Sequence, residues 1–465
     1  MTTAEPVARG ARSAADAGSW AGRPRGVPAS VPPPSLPLSF LAAAALGLVA
    51  CGGAWVWAAR AAAVDPTADH VVAAAHFGVL ATLSMGVLGA LHQFIPVVTQ
   101  RSLRSIRLAR LTFVTWLGAA WLLPIGVAAG RESVVEAGGA LAGVAVTSFA
   151  VNVWPPLLAR GKGAPVTGLR FAVIGFIATA CFGLLYVADR RGNWFDLSGH
   201  VVLAHATVGL FAWLGLSYVA VAEKLWPMFF LAHVPGRRRA GRLAVAAVPG
   251  GVCLLSPGLL TGVAPLAWAG GTLLAVGLGA HLVSLAAHVR HRRRRPDLHL
   301  LFVSTSGAWL VVGAALALAA SLVVPGDPHA GTALVAGAVA ALGGWLLETL
   351  VGHTYKVVPF IAWAALRSRG VDRNGAGRPL MFSDLYNHTW AAATYGSVTA
   401  GIACLTVGLS GSVPPLTGAG GVLLTVTALI AASNLSLGPV RMLPAAGRYG
   451  RPTEHDERGD SQDER

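Results

Sequence analysis

The sequence predicts an all-α membrane protein whose twelve transmembrane helices form three four-helix arcs with pseudo-threefold symmetry. Hydrophobic residues make up 54% of the 465 residues and charged residues only 12%, whereas soluble proteins carry roughly 25% charged residues. Long apolar runs recur from Leu36 to Met442, and a helix needs about 20 such residues to cross a bilayer. A short signature ending in proline also occurs three times. Together these observations exclude a soluble globular domain.

Hydropathy and breaks at charged residues divide a membrane domain, residues 37–440, into twelve helices. We expect them at 37–59, 70–98, 108–129, 134–158, 170–188, 199–231, 243–263, 266–289, 299–323, 331–365, 387–410 and 414–438. The first run is longer than the apolar core of a signal peptide, so we expect an uncleaved helix. Residues 1–36 and 441–465 are rich in small, Pro or charged residues and are expected to be disordered cytoplasmic tails.

Every second loop between the predicted helices is basic, and the loops between them carry mainly acidic residues. The basic clusters include Arg101, Arg104, Arg107 and Arg110; Arg160, Lys162 and Arg170; Arg237, Arg238, Arg239 and Arg242; Arg290 and Arg292 to Arg295; and Arg367, Arg369, Arg373 and Arg378. The positive-inside rule then places both termini in the cytoplasm, and we expect the chain to lie in the plasma membrane. The net charge of +15 is explained by this topology, so the bilayer is the expected partner and nucleic acid is not.

The repeated signature reads HQFIP at 92–96, EKLWP at 223–227 and YKVVP at 355–359. Its prolines are 131 and 132 residues apart, and they fall in the second, sixth and tenth predicted helices. Four helices per repeat and three repeats account for all twelve helices. This pattern predicts that a four-helix unit has been triplicated around a central axis.

Few ionisable side chains lie well within a predicted helix, and these are the candidates for a proton or ion pathway. They are Glu223, Lys224, Glu348 and Lys356, and Tyr355 is added because it shares a face of the tenth helix with Glu348. Polar groups are costly in lipid, so we expect Glu223, Glu348 and Tyr355 to face the interior. Lys224 and Lys356 can instead extend to the membrane interface, and Glu348 can be a protonated group bonded to a neighbouring helix.

Histidines cluster in the second, sixth and tenth helices, where they are candidate haem or metal ligands. His76 and His205 are the main candidates; His70, His92, His200 and His353 are secondary ones. A neutral hydrogen-bonding histidine is the alternative for each. Eight further histidines lie outside the repeated signature and are treated as background: His233, His281, His288, His291, His299, His329, His388 and His455. The four cysteines show no CxxC spacing, so we expect neither disulfides nor c-type haem.

The membrane region resembles subunit I of the haem-copper oxidase superfamily, which includes the C-family oxidases and the nitric oxide reductases. His205 and Trp213 followed by Pro227, and Trp345 followed by Tyr355 and Pro359, are similar to the family's H-x-H-x-G-x-x-G-W and Y-x-x-x-P patterns. The resemblance implies three four-helix arcs, with redox-site histidines on the second, sixth and tenth helices. It would make the chain a possible oxidoreductase.

The chain departs from this family at the ligand positions of the tenth and seventh helices. Gly337 and Val339 occupy the two histidine positions of the tenth helix, and the seventh predicted helix contains no histidine. We therefore do not expect a complete centre for reducing oxygen or nitric oxide.

One binding site is still expected, because this chain divides the H-x-H pair between two helices. On the sixth helix, His205 occupies the first histidine position of the H-x-H pattern. On the second helix, His76 occupies the second histidine position of that pattern. Residues two apart on a helix point about 200° apart, so threefold rotation brings these two to one cavity. We expect them to ligate haem b there, with copper as a second option. A protein or a quinone would supply electrons.

Two other classes of function remain open from the sequence. Twelve helices with an internal repeat and buried carboxyl groups also suit a transporter or an ion or proton channel. However, three repeats in the same membrane orientation differ from the two halves of a carrier. The third class is a non-catalytic assembly or sensing subunit.

Overall fold

The computed structural model describes residues 32–160, 163–192, 200–234, 237–322, 328–374 and 376–446. These residues are almost entirely helical, and twelve of their helices are long and apolar enough to cross a membrane. They are α1 Ser35–Val64, α2 Asp69–Thr99, α3 Ile106–Ala128, α4 Glu132–Leu157, α5 Gly163–Asp189, α6 Val201–Phe229, α7 Arg239–Thr261, α8 Ala264–Arg290, α9 Leu298–Leu322, α10 Ala330–Arg367, α11 His388–Ser410 and α12 Pro414–Gly438. These helices indicate a multi-pass membrane protein, as the hydropathy of the sequence predicts.

Two expected boundaries differ at the ends of the membrane domain. The first helix begins at Ser35, and the helix that contains α12 continues to Ala446. The rest of the two expected tails, residues 1–31 and 447–465, lies outside the described residues.

Three antiparallel helix pairs, α3 with α4, α7 with α8 and α11 with α12, have the same tight connection. Each turn contains a residue with positive φ: Gly130 at 61°, Gly262 at 69° and Ser412 at 52°. Glycine adopts this left-handed conformation without a steric penalty, which explains its use at two of the three turns.

The helices α2, α6 and α10 are the most buried of the twelve, as the polar faces predict. Each contains an eight-residue π-helical segment, at Phe77–Ser84, Val208–Gly215 and Ala340–Leu347. The three segments begin 131 and 132 residues apart, which is also the spacing of the prolines in the repeated signature. A π-helix closes a wider hydrogen-bonded ring than an α-helix, is rare, and is frequently found at functional sites.

Two tryptophans join these central helices through matching contacts. Trp213 Nε1 on α6 donates to Ser84 Oγ on α2 at 3.0 Å. Trp345 on α10 packs on Gly215 of α6, where an added Cβ would lie 2.9 Å from Cη2. Ser84 and Gly215 are 131 residues apart, and the two tryptophans are 132 apart. The two contacts are therefore related by the spacing of the repeated signature, although one is a hydrogen bond and the other a packing contact.

Two asparagines anchor corresponding helix starts. Asn152 of α4 accepts from the backbone N–H of Ser105 at 2.8 Å, immediately before α3. Asn434 of α12 accepts from the backbone N–H of Asn387 at 2.7 Å, immediately before α11. The donor and acceptor are 47 residues apart in both pairs. A free N–H at a helix start needs such a partner when it is withdrawn from water.

Candidate functional site

His76 and His205 lie at similar depths, near the ends of α2 and α6 that adjoin the acidic loops. We call that side of the bundle the acidic face and the opposite side the basic face. His76 is the eighth residue of α2 and His205 the fifth of α6, so both lie within about 10 Å of their helix starts at 1.5 Å per residue. The two imidazoles are close enough to interact electrostatically. That these two histidines share one cavity stays a prediction.

The two rings are held differently. His76 Nδ1 donates to the carbonyl oxygen of Val72 at 2.7 Å, one turn back on the same helix. That bond fixes the ring and leaves Nε2 as the available ligand atom, the usual arrangement of a metal-binding histidine. His205 Nδ1 is buried and has no hydrogen-bond partner among the described residues.

The His205 ring packs against α5 at Gly183, where the absence of a side chain leaves room for the ring. A Cβ added to Gly183 would lie 3.3 Å from His205 Cε1 and 3.9 Å from its Nε2. The Phe182 ring lies 5.6 Å from the imidazole, centroid to centroid. Backbone of α5 and an aromatic ring thus border His205 on one side.

These residues fit haem better than a metal ion held by protein ligands alone. Among the described residues, no group of three or more His, Cys, Asp or Glu side chains is placed to hold a metal ion. Haem needs only one or two protein ligands, because the porphyrin supplies four nitrogens. A pair of histidines, one with an orphaned buried nitrogen, satisfies that requirement.

Three of the four secondary candidates lie on α2 or just before α6, and they lie apart from this pair. His70 packs edge-on against Trp57 of α1 at 4.0 Å between ring centroids, and His200 is exposed just before α6. His92 is fully buried between Phe40 and Phe149, and it follows His76 by 16 residues, about 24 Å along a helix. The structure does not bring these three into the His76–His205 pair.

The fourth, His353, belongs to a different cluster in the basic half of the bundle. Its ring lies 4.8 Å from that of His299 on α9. Nearby, Lys356 Nζ pairs with Asp297 at 2.5 Å, just before α9. The lysine thus reaches the membrane interface, which is the snorkelling arrangement expected for it.

Sequence reasoning missed three buried histidines in this half, because they lie outside the repeated signature. His281, His288 and His299 are each at most 3% exposed, although they are assigned to the background in the sequence. His281 and His288 are seven residues apart on α8, so they share one face. That spacing was the signal that could have identified His281 and His288; His299 lies on another helix and has no such signal.

The two glutamates expected to face the interior are both buried. Glu348 is 0% exposed and Glu223 is 6% exposed. Glu223 accepts from Ser284 Oγ at 3.3 Å and its carboxyl group lies against Gly241 of α7. Lys224 is exposed on the surface of the bundle, so it does not join Glu223 in the interior.

The sequence matches no protein-family model, and no curated protein is significantly similar to it. Functional reasoning about this chain therefore depends on its own residues and their arrangement.

Proposed function

We propose that this protein is a membrane haem protein that takes part in electron transfer and holds haem b between His76 and His205. The observation that carries this proposal is that His205 on α6 has a buried nitrogen without a hydrogen-bond partner among the described residues and lies at a depth similar to that of the half-buried His76 on α2. One of them is oriented by a backbone carbonyl so that Nε2 is free. When bound, the haem iron would accept and release one electron at a time.

The protein residues supply orientation and exclude water. Val72 fixes the tautomer of His76, and the absence of a side chain at Gly183 makes room for His205. Both ligands border a π-helical segment, since Phe77–Ser84 begins directly after His76 and Val208–Gly215 begins three residues after His205. A π-helical turn changes the direction of the residues before it relative to those after it.

We also propose that the chain is a diverged relative of haem-copper oxidase subunit I with three four-helix arcs. Support comes from the equal spacing of the π-helical segments, the matching contacts of Trp213 and Trp345, and the corresponding caps by Asn152 and Asn434. The missing histidines at Gly337 and Val339 argue against an oxygen-reducing centre. Electron transfer without that reaction is the function we propose.

The proposed site lies nearer the acidic face, and the positive-inside rule makes that face the outer one in the plasma membrane. An electron donor would approach from that side, as an external protein or as a quinone within the outer leaflet. A reporter domain that is active only in the cytoplasm should be active when it is fused to either terminus. A reporter active outside the cell would reverse the proposed orientation.

Absorption spectroscopy of the purified protein tests the haem proposal. We expect a b-type spectrum, and we expect His76→Ala and His205→Ala to abolish it. His291→Ala is the matched control, because His291 is exposed at the basic end of α8 and only bonds to its own helix. A colourless wild-type protein from haem-sufficient cells, or variants that keep the full spectrum, would contradict the proposal.

A further inference from the structure

A second pair of histidines, separate from His76 and His205, lies in the basic half of the bundle. His299 is the second residue of α9 and is 3% exposed. Its ring centroid is 4.8 Å from that of His353 on α10, and the two rings are nearly perpendicular, at 76°. Two helices that follow one another in the chain thus bring two imidazoles into contact.

The Nε2 atoms of both rings are buried and have no hydrogen-bond partner among the described residues. His353 Nδ1 donates to the backbone carbonyl of Thr349 at 2.8 Å, one turn back on α10. Its proton is therefore on Nδ1, and the lone pair of Nε2 is free, which is the usual state of a metal-binding histidine. Buried polar atoms almost always have a partner, so two such nitrogens on contacting rings indicate a bound group.

The space between the rings suits a metal ion better than a water molecule. A water oxygen lies about 2.9 Å from a nitrogen that it contacts, whereas a metal ion lies about 2 Å away. An ion can therefore bind two nitrogens that are closed to water. Around a shared ion the ring centroids would be roughly 5 Å apart in a bent arrangement and roughly 6 Å apart in a linear one. The observed 4.8 Å is close to the bent value, and small rotations of the side chains reach the linear one.

Aromatic rings border the pair. The Phe229 ring lies 5.1 Å from that of His299 and 5.8 Å from that of His353, centroid to centroid. The Phe230 ring lies 6.3 Å from that of His299. These rings shield the pair from water. Because the two imidazoles are already in contact, a porphyrin does not fit between them.

The carboxylate nearest in sequence to His299 is occupied by two basic side chains. Asp297 pairs with Lys356, one turn after His353, and with Arg294 at 3.6 Å. Among the described residues, no third His, Cys, Asp or Glu side chain is placed to complete a metal site with the two histidines. An ion bound here would therefore have two neutral protein ligands and an apolar surrounding.

Two neutral nitrogen ligands favour Cu⁺ among the metal ions that imidazole binds. Zn²⁺ takes four ligands in a tetrahedron, and Cu²⁺ takes a square-planar or tetragonal set of nitrogen and oxygen ligands. Cu⁺ has a filled d shell and is stable with two nitrogen ligands alone. A single positive charge also costs less to bury in an apolar site than a double one.

We propose that His299 and His353 hold a Cu⁺ ion between α9 and α10. Each Nε2 gives its lone pair to the ion and each ring keeps its proton on Nδ1, so no proton is released. Oxidation to Cu²⁺ would leave the ion short of two ligands, so the site holds reduced copper rather than passing electrons. It uses neither His76 nor His205 and therefore stands independently of the haem proposal.

Competition with bicinchoninate, a chelator that is coloured when it binds Cu⁺, measures the affinity of the full-length protein in detergent without oxygen. Cysteine also binds Cu⁺, so Cys181, Cys253 and Cys404 are replaced by Ser in every protein tested, whereas Cys51 is buried. We expect one Cu⁺ per chain. His299→Phe and His353→Phe keep an aromatic ring in place and should each weaken binding by more than about 100-fold, since losing a ligand costs more than losing its support.

Two further variants separate this pair from other histidines. His205→Ala removes a ligand of the proposed haem site and should leave the affinity for Cu⁺ unchanged. His281→Phe is the matched control, because His281 is 1% exposed and its Nδ1 also has no hydrogen-bond partner among the described residues. The His281 ring packs against Trp226, at 4.8 Å between centroids. This variant should keep the wild-type affinity.

X-ray absorption of the bound copper is a readout that requires no variant, and it should show two nitrogen ligands at about 2 Å. Sulfur ligands or a four-coordinate ion would overturn the proposal. It is also overturned if the cysteine-substituted protein binds no Cu⁺, or if His299→Phe and His353→Phe bind as tightly as that protein. A loss of affinity in His281→Phe as large as that in His353→Phe would overturn it as well.

Discussion

At the scale of single residues, the sequence identified the interior acids better than the interior histidines. Glu348 is an isolated charge in a long apolar run, and only burial accounts for it at that position. A histidine can be neutral at low cost, so its presence in a helix says less about where it points. The sequence pattern places His299 among the background histidines, yet it contacts His353 inside the bundle. The contact joins α9 and α10, and no pattern within one helix encodes it.

Gly183 gives the sharpest residue-scale prediction for the proposed haem site. In Gly183→Val the new side chain would press on the His205 ring, because even a Cβ would lie 3.3 Å from Cε1. We expect haem binding to weaken by about 10- to 100-fold, the range found when the support of a metal ligand is removed. Haem titration of the apoprotein measures this. Gly279→Val of α8 is the control, since nothing lies within 4 Å of its added Cβ; equal affinity in both variants would contradict the assigned role.

At the scale of helices, sequence reasoning located all twelve but did not foresee the π-helical segments. Hydropathy reports only that a segment is apolar, and the apolar residues of Phe77–Ser84 would be equally suited to an α-helix. The segment also packs closely against a neighbouring helix, where Gly47 of α1 lies directly on the backbone of Ala81. The threefold spacing of the proline signature did mark the three helices that contain these segments. It could not show how their turns differ from the others.

Deleting one residue tests what the π-helical segment of α2 does. Without Val79 the segment can close as an α-helix, which would turn His76 by about 100° relative to the inner half of α2. We expect loss of the b-type spectrum with helix content retained by circular dichroism. Deleting Leu342 in the corresponding segment of α10 should spare the spectrum, because no proposed haem ligand lies on that helix. Equal loss in both deletions would mean that the segment serves folding rather than ligand direction.

At the scale of the whole molecule, the two ends of the membrane domain meet. The helices α1 and α12 pack together, and their backbones approach closely at Gly52 and Gly421, where an added Cβ on Gly52 would lie 2.5 Å from the Gly421 carbonyl oxygen. Small residues permit such close approach in membranes, where association depends on packing. Composition alone did not predict this contact, because the chain contains 57 glycines and most of them offer the same possibility.

Neighbouring glycines on α1 make this contact testable. An added Cβ on Gly52 would lie 2.3 Å from Thr425 Oγ1, whereas nothing lies within 4 Å of one on Gly53. Gly52→Leu should therefore force α1 and α12 apart and destabilise the fold by about 1–3 kcal/mol, the usual cost of overpacking. Thermal unfolding in detergent should show a lower Tm for Gly52→Leu and a wild-type Tm for Gly53→Leu. Because the two helices lie at opposite ends of the chain, a Gly52→Leu protein as stable as Gly53→Leu would show that the α1–α12 contact contributes nothing to holding the bundle together.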